Sequence, residues 1–123
     1  MSDNNIKILL IDDEEEFVST LAQRLEFRGY KAHAVNDGQS GIDLLDNESF
    51  DIVILDLMMH GLNGIETLKL IKNTQPNLPV ILLTGHGSTK AGMEGMRLGA
   101  ADYLMKPLDI KDLIDRISTV LKQ

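Results

Sequence analysis

Four short apolar runs of this sequence each end in polar residues that could act together. In chain order these are Asp12 with Asp13, then Asp56, Thr84 and Lys106. Three carboxylates brought together would raise one another's pKa unless a cation binds between them, and oxygen-only ligands suit Mg²⁺ above all. The lysine ammonium and the threonine hydroxyl could contact phosphoryl oxygens. The pattern therefore indicates metal-assisted transfer of a phosphoryl group to a carboxylate.

The elements that position these residues alternate regularly. Strands are predicted at residues 6–11, 31–35, 50–56, 80–84 and 102–105. Each strand is followed by a helical pattern. The first helix is predicted to end at Gly29, the second to span residues 39–47, the third to follow Gly64, the fourth to end at about Leu98, and the fifth to span about residues 109–121. Strict alternation with short connections predicts a doubly wound α/β fold with helices on both faces of a parallel sheet. The strand ends then emerge at one edge, and neighbouring strands lie only about 5 Å apart.

Composition narrows the range of functions. The 123 residues are predicted to form one domain, with no repeat or internal linker. The formal charge of −7 disfavours direct binding to nucleic acid or anionic lipid, and cysteine is absent. No apolar run approaches membrane-spanning length, and the first five residues are unlike a signal peptide. We therefore expect a cytoplasmic protein that contacts no membrane.

These residues, in this order and at these spacings, resemble the receiver domain of bacterial two-component response regulators. The resemblance covers essentially the whole chain, residues 1–123. It depends on Asp12-Asp13, Asp56, the Met59-x-x-x-x-Gly64 loop, Thr84 and Lys106-Pro107. It implies a flavodoxin-like (βα)5 fold with strand order 2-1-3-4-5, which makes the first and third strands neighbours.

The resemblance also implies a role for each site residue. Asp56 is expected to be the phosphoacceptor. Mg²⁺, or Mn²⁺ in its place, is expected to be held by Asp13 and Asp56 directly, by Asp12 largely through water, and by the backbone carbonyl of Met58. Thr84 and Lys106 are expected to contact the phosphoryl group, Gly85 to leave the pocket floor uncrowded, and the bond before Pro107 to be cis. His86 is expected to border the site.

The resemblance further implies a signalling role, in which the domain catalyses only its own phosphorylation and dephosphorylation. The donor would be a sensor histidine kinase, a histidine phosphotransfer protein or a small phosphodonor. Thr84 would move toward the phosphoryl group and the ring of Tyr103 would follow. The surface of the fourth helix, fifth strand and fifth helix would then bind a partner or a second copy of the chain. Gly92 and Gly95 lie inside the fourth helix and should weaken it, which makes it a plausible moving part.

The sequence departs from the family pattern at His60, where proline is usual; that loop should be less rigid. Residues 84–87 resemble receivers attached to transcriptional activators, so the chain could be a receiver taken from a longer protein, with its effector outside this sequence. Three alternatives are disfavoured. A Mg²⁺-dependent phosphohydrolase with an aspartate nucleophile would place its two acids two residues apart after the first strand. A nucleotide-binding module would need a glycine-rich turn where this chain has five acids. A pseudo-receiver would lack some of the expected site residues.

Overall fold

Five short apolar segments pair side by side as one parallel sheet in the order β2-β1-β3-β4-β5. The computed structural model describes residues 5–59, 63–85 and 89–122. Its strands are β1 (Lys7–Ile11), β2 (Lys31–Val35), β3 (Ile52–Asp56), β4 (Val80–Thr84) and β5 (Asp102–Met105). Its helices are α1 (Glu15–Phe27), α2 (Gly38–Asn47), α3 (Gly64–Thr74), α4 (Thr89–Arg97) and α5 (Ile110–Leu121). The predicted fold class and strand order are confirmed.

The two faces of the sheet carry separate hydrophobic clusters, because successive side chains of a strand point to opposite faces. Leu9, Val53 and Leu82 lie on the face that packs with α2, α3 and α4. Ile8 and Ile54 lie on the other face and pack with α1 and α5. Every residue of β3 and β4 is buried, which explains why these two segments are continuous apolar runs without polar alternation.

Side chains and one backbone conformation set the helix ends. The carboxylates or amides of Asp37, Asn63 and Asp109 accept hydrogen bonds from the first turns of α2, α3 and α5. At the other end of α1, Gly29 has φ +98°, which a residue with a side chain rarely adopts. Its N–H donates to the carbonyl of Glu26, and the N–H of Tyr30 donates to that of Leu25, which satisfies the last carbonyls of the helix.

Element bounds differ slightly from those predicted. β3 begins at Ile52 rather than at residue 50. Asp51, just before it, bonds to Lys7 of β1 twice: its N–H donates to the Lys7 carbonyl at 2.9 Å, and its carboxylate accepts from the Lys7 N–H at 2.8 Å. α5 begins at Ile110 because Asp109 acts as its cap. α4 ends at Arg97, one residue before the predicted end. Within the described ranges, none of the helices is both long and apolar enough to cross a bilayer.

Candidate functional site

Three carboxylates meet at the carboxyl edge of the sheet. β1 and β3 are neighbours, with Ile11 opposite Leu55, so the next residue of each strand brings Asp12 and Asp56 side by side. One oxygen from each of Asp12, Asp13 and Asp56 lies within 4.8 Å of the other two. Asp12 is 2% and Asp56 3% exposed. The structure thus brings together the three acids that the sequence predicts to bind a metal.

Backbone hydrogen bonds hold the two buried carboxylates in place. The N–H of Glu14 donates to Asp12 Oδ1 at 2.9 Å, and the N–H of Met58 donates to Asp56 Oδ1 at 3.0 Å. The amide of Asn36 donates to the backbone carbonyl of Asp12 at 3.2 Å. Each buried acid therefore has one oxygen anchored to the backbone, while its second oxygen faces the amine of Lys106.

Lys106 extends from the end of β5 into this cluster. Its Nζ lies 2.9 Å from Asp12 Oδ2 and 3.5 Å from Asp56 Oδ2, and it forms an ion pair with Glu14. The ammonium also lies 4.4 Å from the centre of the Phe17 ring. Burial lowers the pKa of Lys106, but its close contacts with the carboxylates of Glu14 and Asp12 and the negative charge of Asp56 outweigh this effect and raise the pKa. Lys106 is therefore a fixed positive charge in the site.

The charge state of Asp12 bears on whether the site suits a cation. Burial raises the pKa of Asp12 to about 6, and the charge of Asp56 adds to this, against the lowering effects of the Glu14 N–H and Lys106. Asp12 Oδ2 is buried and, among the described residues, accepts no hydrogen bond; the contact with Lys106 at 2.9 Å is close enough for an ion pair but lacks hydrogen-bond geometry. A buried carboxylate oxygen left in this state fits a ligand of a hard cation.

Thr84 and Tyr103 lie on the neighbouring strands. Thr84 is fully buried at the end of β4, and its hydroxyl donates to the backbone carbonyl of Leu104 in a long bond of 3.5 Å. Tyr103 is half-buried on β5 and lies opposite Leu82, two positions before Met105, the residue opposite Thr84. Its ring packs against Gly92 of α4. The threonine is thus at the predicted edge, but its hydroxyl faces β5.

The loop after β3 is held close to the site by Gly64. A Cβ at Gly64 would lie 2.6 Å from the backbone oxygen of Asp56 and would also overlap the backbone of Leu57, so only glycine fits. Met58 is 59% exposed, whereas Met59 is buried in the core. The predicted loop residue His60 and the predicted border residue His86 lie outside the described residues.

Two further features complete the description of the site. The Lys106–Pro107 peptide bond is cis, in agreement with the prediction. The contacts of Lys106 with Glu14 and Phe17 were not predicted from the sequence, in which Glu14 counted only as one of the five acids after the first strand. The position of Glu14 directly after two site acids, at the N-cap of α1, is the signal that could have identified it.

Known proteins with the same arrangement are recognisable from both sequence and structure. A family model described as the response regulator receiver domain matches residues 8–118. The transcriptional regulatory protein CpxR of Escherichia coli K12 is 44% identical over 117 residues, which cover 95% of this chain and 50% of the relative. The uncharacterized transcriptional regulatory protein YkoG of Bacillus subtilis 168 is 37% identical over 116 residues, covering 94% and 51%. The chain spans about half the length of these curated relatives.

Solved structures agree with the sequence matches. The receiver domain of the Francisella response regulator 1452 superposes with a TM-score of 0.88 at 33% identity, covering 96% of this chain and 98% of that one. A response regulator receiver domain protein from Clostridium thermocellum superposes with a TM-score of 0.90 at 34% identity, covering 95% and 94%.

Proposed function

The chain belongs to the response regulator receiver domain family, and on that basis we propose that it accepts a phosphoryl group on Asp56 in a Mg²⁺-dependent reaction. One observation carries the assignment. The oxygens of Asp12, Asp13 and Asp56 lie within 4.8 Å of one another, and the ammonium of Lys106 lies 3.5 Å from Asp56 Oδ2. This arrangement gives a nucleophile, a cation site and a fixed positive charge at one sheet edge.

In the proposed reaction, an oxygen of the Asp56 carboxylate attacks the phosphorus of the donor. The new bond is the P–O bond of an acyl phosphate. The bond from phosphorus to the donor's nitrogen or oxygen breaks, and its electron pair stays with the donor. Lys106 stabilises negative charge on the phosphoryl oxygens, and the buried Thr84 supplies a hydroxyl once it turns from Leu104. Gly85 adds no side chain at the end of β4.

Asp12, Asp13 and Asp56, with the backbone carbonyl of Met58, would hold Mg²⁺ or Mn²⁺. The bound cation would supply neutralisation of the charge that develops on the phosphoryl oxygens. The buried oxygen of Asp12 that accepts no hydrogen bond from the described residues supports this assignment. Hydrolysis of the acyl phosphate would return the domain to its unphosphorylated state.

The proposed partners follow from the family. A sensor histidine kinase or a histidine phosphotransfer protein would supply the phosphoryl group. The surface of α4, β5 and α5 would change through Thr84 and Tyr103, and would act on an effector outside this chain or on a second copy of it. The relatives named transcriptional regulatory proteins are about twice as long as this chain, which supports an effector of that kind and a cytoplasmic location. A phosphohydrolase acting on other substrates has no support among the matches.

The test is the intact mass of the protein after incubation with acetyl phosphate. We expect one added phosphoryl group when Mg²⁺ is present and none in EDTA. Asp56→Asn removes the nucleophile with almost no change of volume and should abolish the adduct. Asp51→Asn, which changes an exposed acid at the opposite edge of the sheet, is the matched control and should retain it. An adduct of equal yield in EDTA or in Asp56→Asn would contradict the proposal.

A further inference from the structure

We propose that Glu14 is a positioning residue that holds the ammonium of Lys106 in the unphosphorylated site and competes with the phosphoryl group for it. This inference rests on the proposed function. Glu14 is not one of the three acids whose oxygens lie within 4.8 Å of one another, but its side chain contacts Lys106, which pairs with two of them.

Glu14 contacts the site through both its backbone and its side chain. Its backbone N–H donates to Asp12 Oδ1 at 2.9 Å, and its side chain forms an ion pair with Lys106. The lysine arrives from β5, 92 positions later in the sequence. The contact therefore links the start of α1 to the end of β5 across the site. Only the ion pair depends on the identity of the side chain at position 14.

Glu14 and a phosphoryl oxygen would compete for the ammonium of Lys106. An ammonium has three N–H donors, and Lys106 already faces three carboxylates, those of Asp12, Glu14 and Asp56. Among the described residues, Glu14 is the one of the three that accepts a hydrogen bond from Lys106, so a phosphoryl oxygen that binds this ammonium competes with Glu14 first. The Asp12 side chain is 2% exposed and Asp56 carries the new group, but the Glu14 side chain is 60% exposed and can turn into water. Glu14 is therefore the carboxylate that gives way.

Charge favours the same exchange. In the metal-free site, the four carboxylates of Asp12, Asp13, Asp56 and Glu14 outnumber the single positive charge of Lys106, and a bound Mg²⁺ would still leave negative charge in excess. A phosphoryl group adds negative charge to this site, and the carboxylate of Glu14 repels it while also occupying its partner. Neutralising Glu14 should therefore favour any phosphoryl-like anion at Asp56.

The experiment measures the affinity for beryllofluoride, a phosphoryl mimic, in saturating Mg²⁺ by NMR titration. Glu14→Gln keeps the shape of the side chain and removes its charge. Glu15→Gln is the matched control, since it removes the same charge from the neighbouring residue at the start of α1. Among the described residues, the ion pairs of Lys106 are with Asp12, Glu14 and Asp56 and not with Glu15. We expect Glu14→Gln to bind beryllofluoride about two- to fivefold more tightly than Glu15→Gln, the range for one exposed ion pair, and the difference to shrink in 1 M salt.

A second readout uses the metal-free protein. The ¹⁵Nζ signal of Lys106, assigned with Lys106→Arg, should shift in Glu14→Gln and stay in place in Glu15→Gln. An unchanged signal, or equal beryllofluoride affinities in the two variants, would overturn the inference while leaving the proposed function intact. Failure of the wild-type protein to bind beryllofluoride in Mg²⁺ would overturn both.

Discussion

At the edge of the sheet, Lys106 and a bound metal ion would together neutralise the negative charge of Asp12, Asp13 and Asp56. Lys106 contacts Asp12 and Asp56 at 2.9 and 3.5 Å, but one positive charge cannot balance the three aspartates of the cluster. The raised pKa of Asp12 follows first from burial and then from this imbalance. This excess of negative charge is what the proposed divalent cation would neutralise.

The pKa of Asp12 leads to a pH dependence of metal binding. Its pKa of about 6 means that the carboxyl is protonated, and unable to act as an anionic ligand, below that pH. We expect the affinity for Mg²⁺ to be constant above about pH 7 and to fall by up to tenfold for each pH unit below about 6. Calorimetric titration from pH 5 to 8 measures this. Asp12→Asn should bind Mg²⁺ weakly at every pH and lose the step near 6; a wild-type affinity unchanged between pH 5 and 7 would contradict the account.

Thr84 offers a test that separates signalling from stability. Its hydroxyl makes only a long bond of 3.5 Å, so Thr84→Val should change the free energy of unfolding by less than about 1 kcal/mol. The same variant should reduce the NMR shift of Tyr103 that beryllofluoride induces, because the hydroxyl that follows the phosphoryl group is missing. Thr84→Ser keeps the hydroxyl and should respond as the wild type does. A full response in Thr84→Val would rule out this role.

Residue types and strand ends were sufficient to predict the acid cluster and Lys106, because parallel strands bring their carboxyl ends to one edge. The contact of Glu14 with Lys106 could not be predicted in the same way. It depends on how a long, flexible side chain from β5 crosses to α1, and no local pattern encodes that path. The direction of the Thr84 hydroxyl, toward Leu104, depends on the rotamer of its side chain, which the sequence pattern does not specify either.

At the scale of elements, the glycines of α4 have a packing role that their helix propensity does not reveal. Gly92 and Gly95 are buried, and they let the helix approach the sheet closely. A Cβ at Gly92 would lie 2.6 and 2.8 Å from Cδ2 and Cε2 of the Tyr103 ring, and one at Gly95 would overlap Leu82. The weak helix predicted from its glycines is thus also the surface against which Tyr103 rests.

This packing predicts opposite effects of one substitution in two backgrounds. Gly92→Ala should destabilise the protein, because overpacking against Tyr103 costs about 1–3 kcal/mol and exceeds the gain of about 1 kcal/mol in helix propensity. In a Tyr103→Ala background the clash is gone, and the same change should stabilise by up to about 1 kcal/mol. Urea unfolding of the four proteins measures the coupling. Equal effects in the two backgrounds would show that the ring does not rest on Gly92.

Element existence was predictable from periodicity, whereas element ends required knowledge of individual caps. β2, β4 and β5 have the predicted bounds. β3 was predicted two residues too long; at its start, the side chain of Asp51 takes the place of a backbone carbonyl and accepts from the N–H of Lys7. Such a bond has no sequence signature, since it joins residues 44 positions apart.

At the scale of the whole molecule, exposed methionines mark the surface predicted to change on phosphorylation. Met93 and Met96 of α4 and Met105 of β5 are 59%, 39% and 39% exposed. Flexible, polarizable side chains of this kind are suited to contacts that form and break. Phe27 of α1 is 90% exposed and lies on the other face of the sheet from α4.

If this surface joins two copies, beryllofluoride with Mg²⁺ should shift the protein toward a dimer in sedimentation velocity. Met93→Glu places a charge on the surface and should weaken that dimer at least tenfold, whereas Phe27→Glu makes a similar change on α1 and should have no such effect. Dimerisation that is lost in Phe27→Glu and kept in Met93→Glu would show that the dimer interface includes α1 rather than α4. The structure of each variant can be checked by its NMR spectrum without beryllofluoride.

Chemical trapping tests whether Asp56 itself carries the phosphoryl group. Borohydride reduces an acyl phosphate to the alcohol, so a phosphorylated aspartate becomes homoserine. After phosphorylation in Mg²⁺, reduction and peptide mapping, we expect homoserine at position 56 and unchanged aspartate at positions 12 and 13. Homoserine at position 12 or 13, or none in a protein whose mass shows the adduct, would contradict the account.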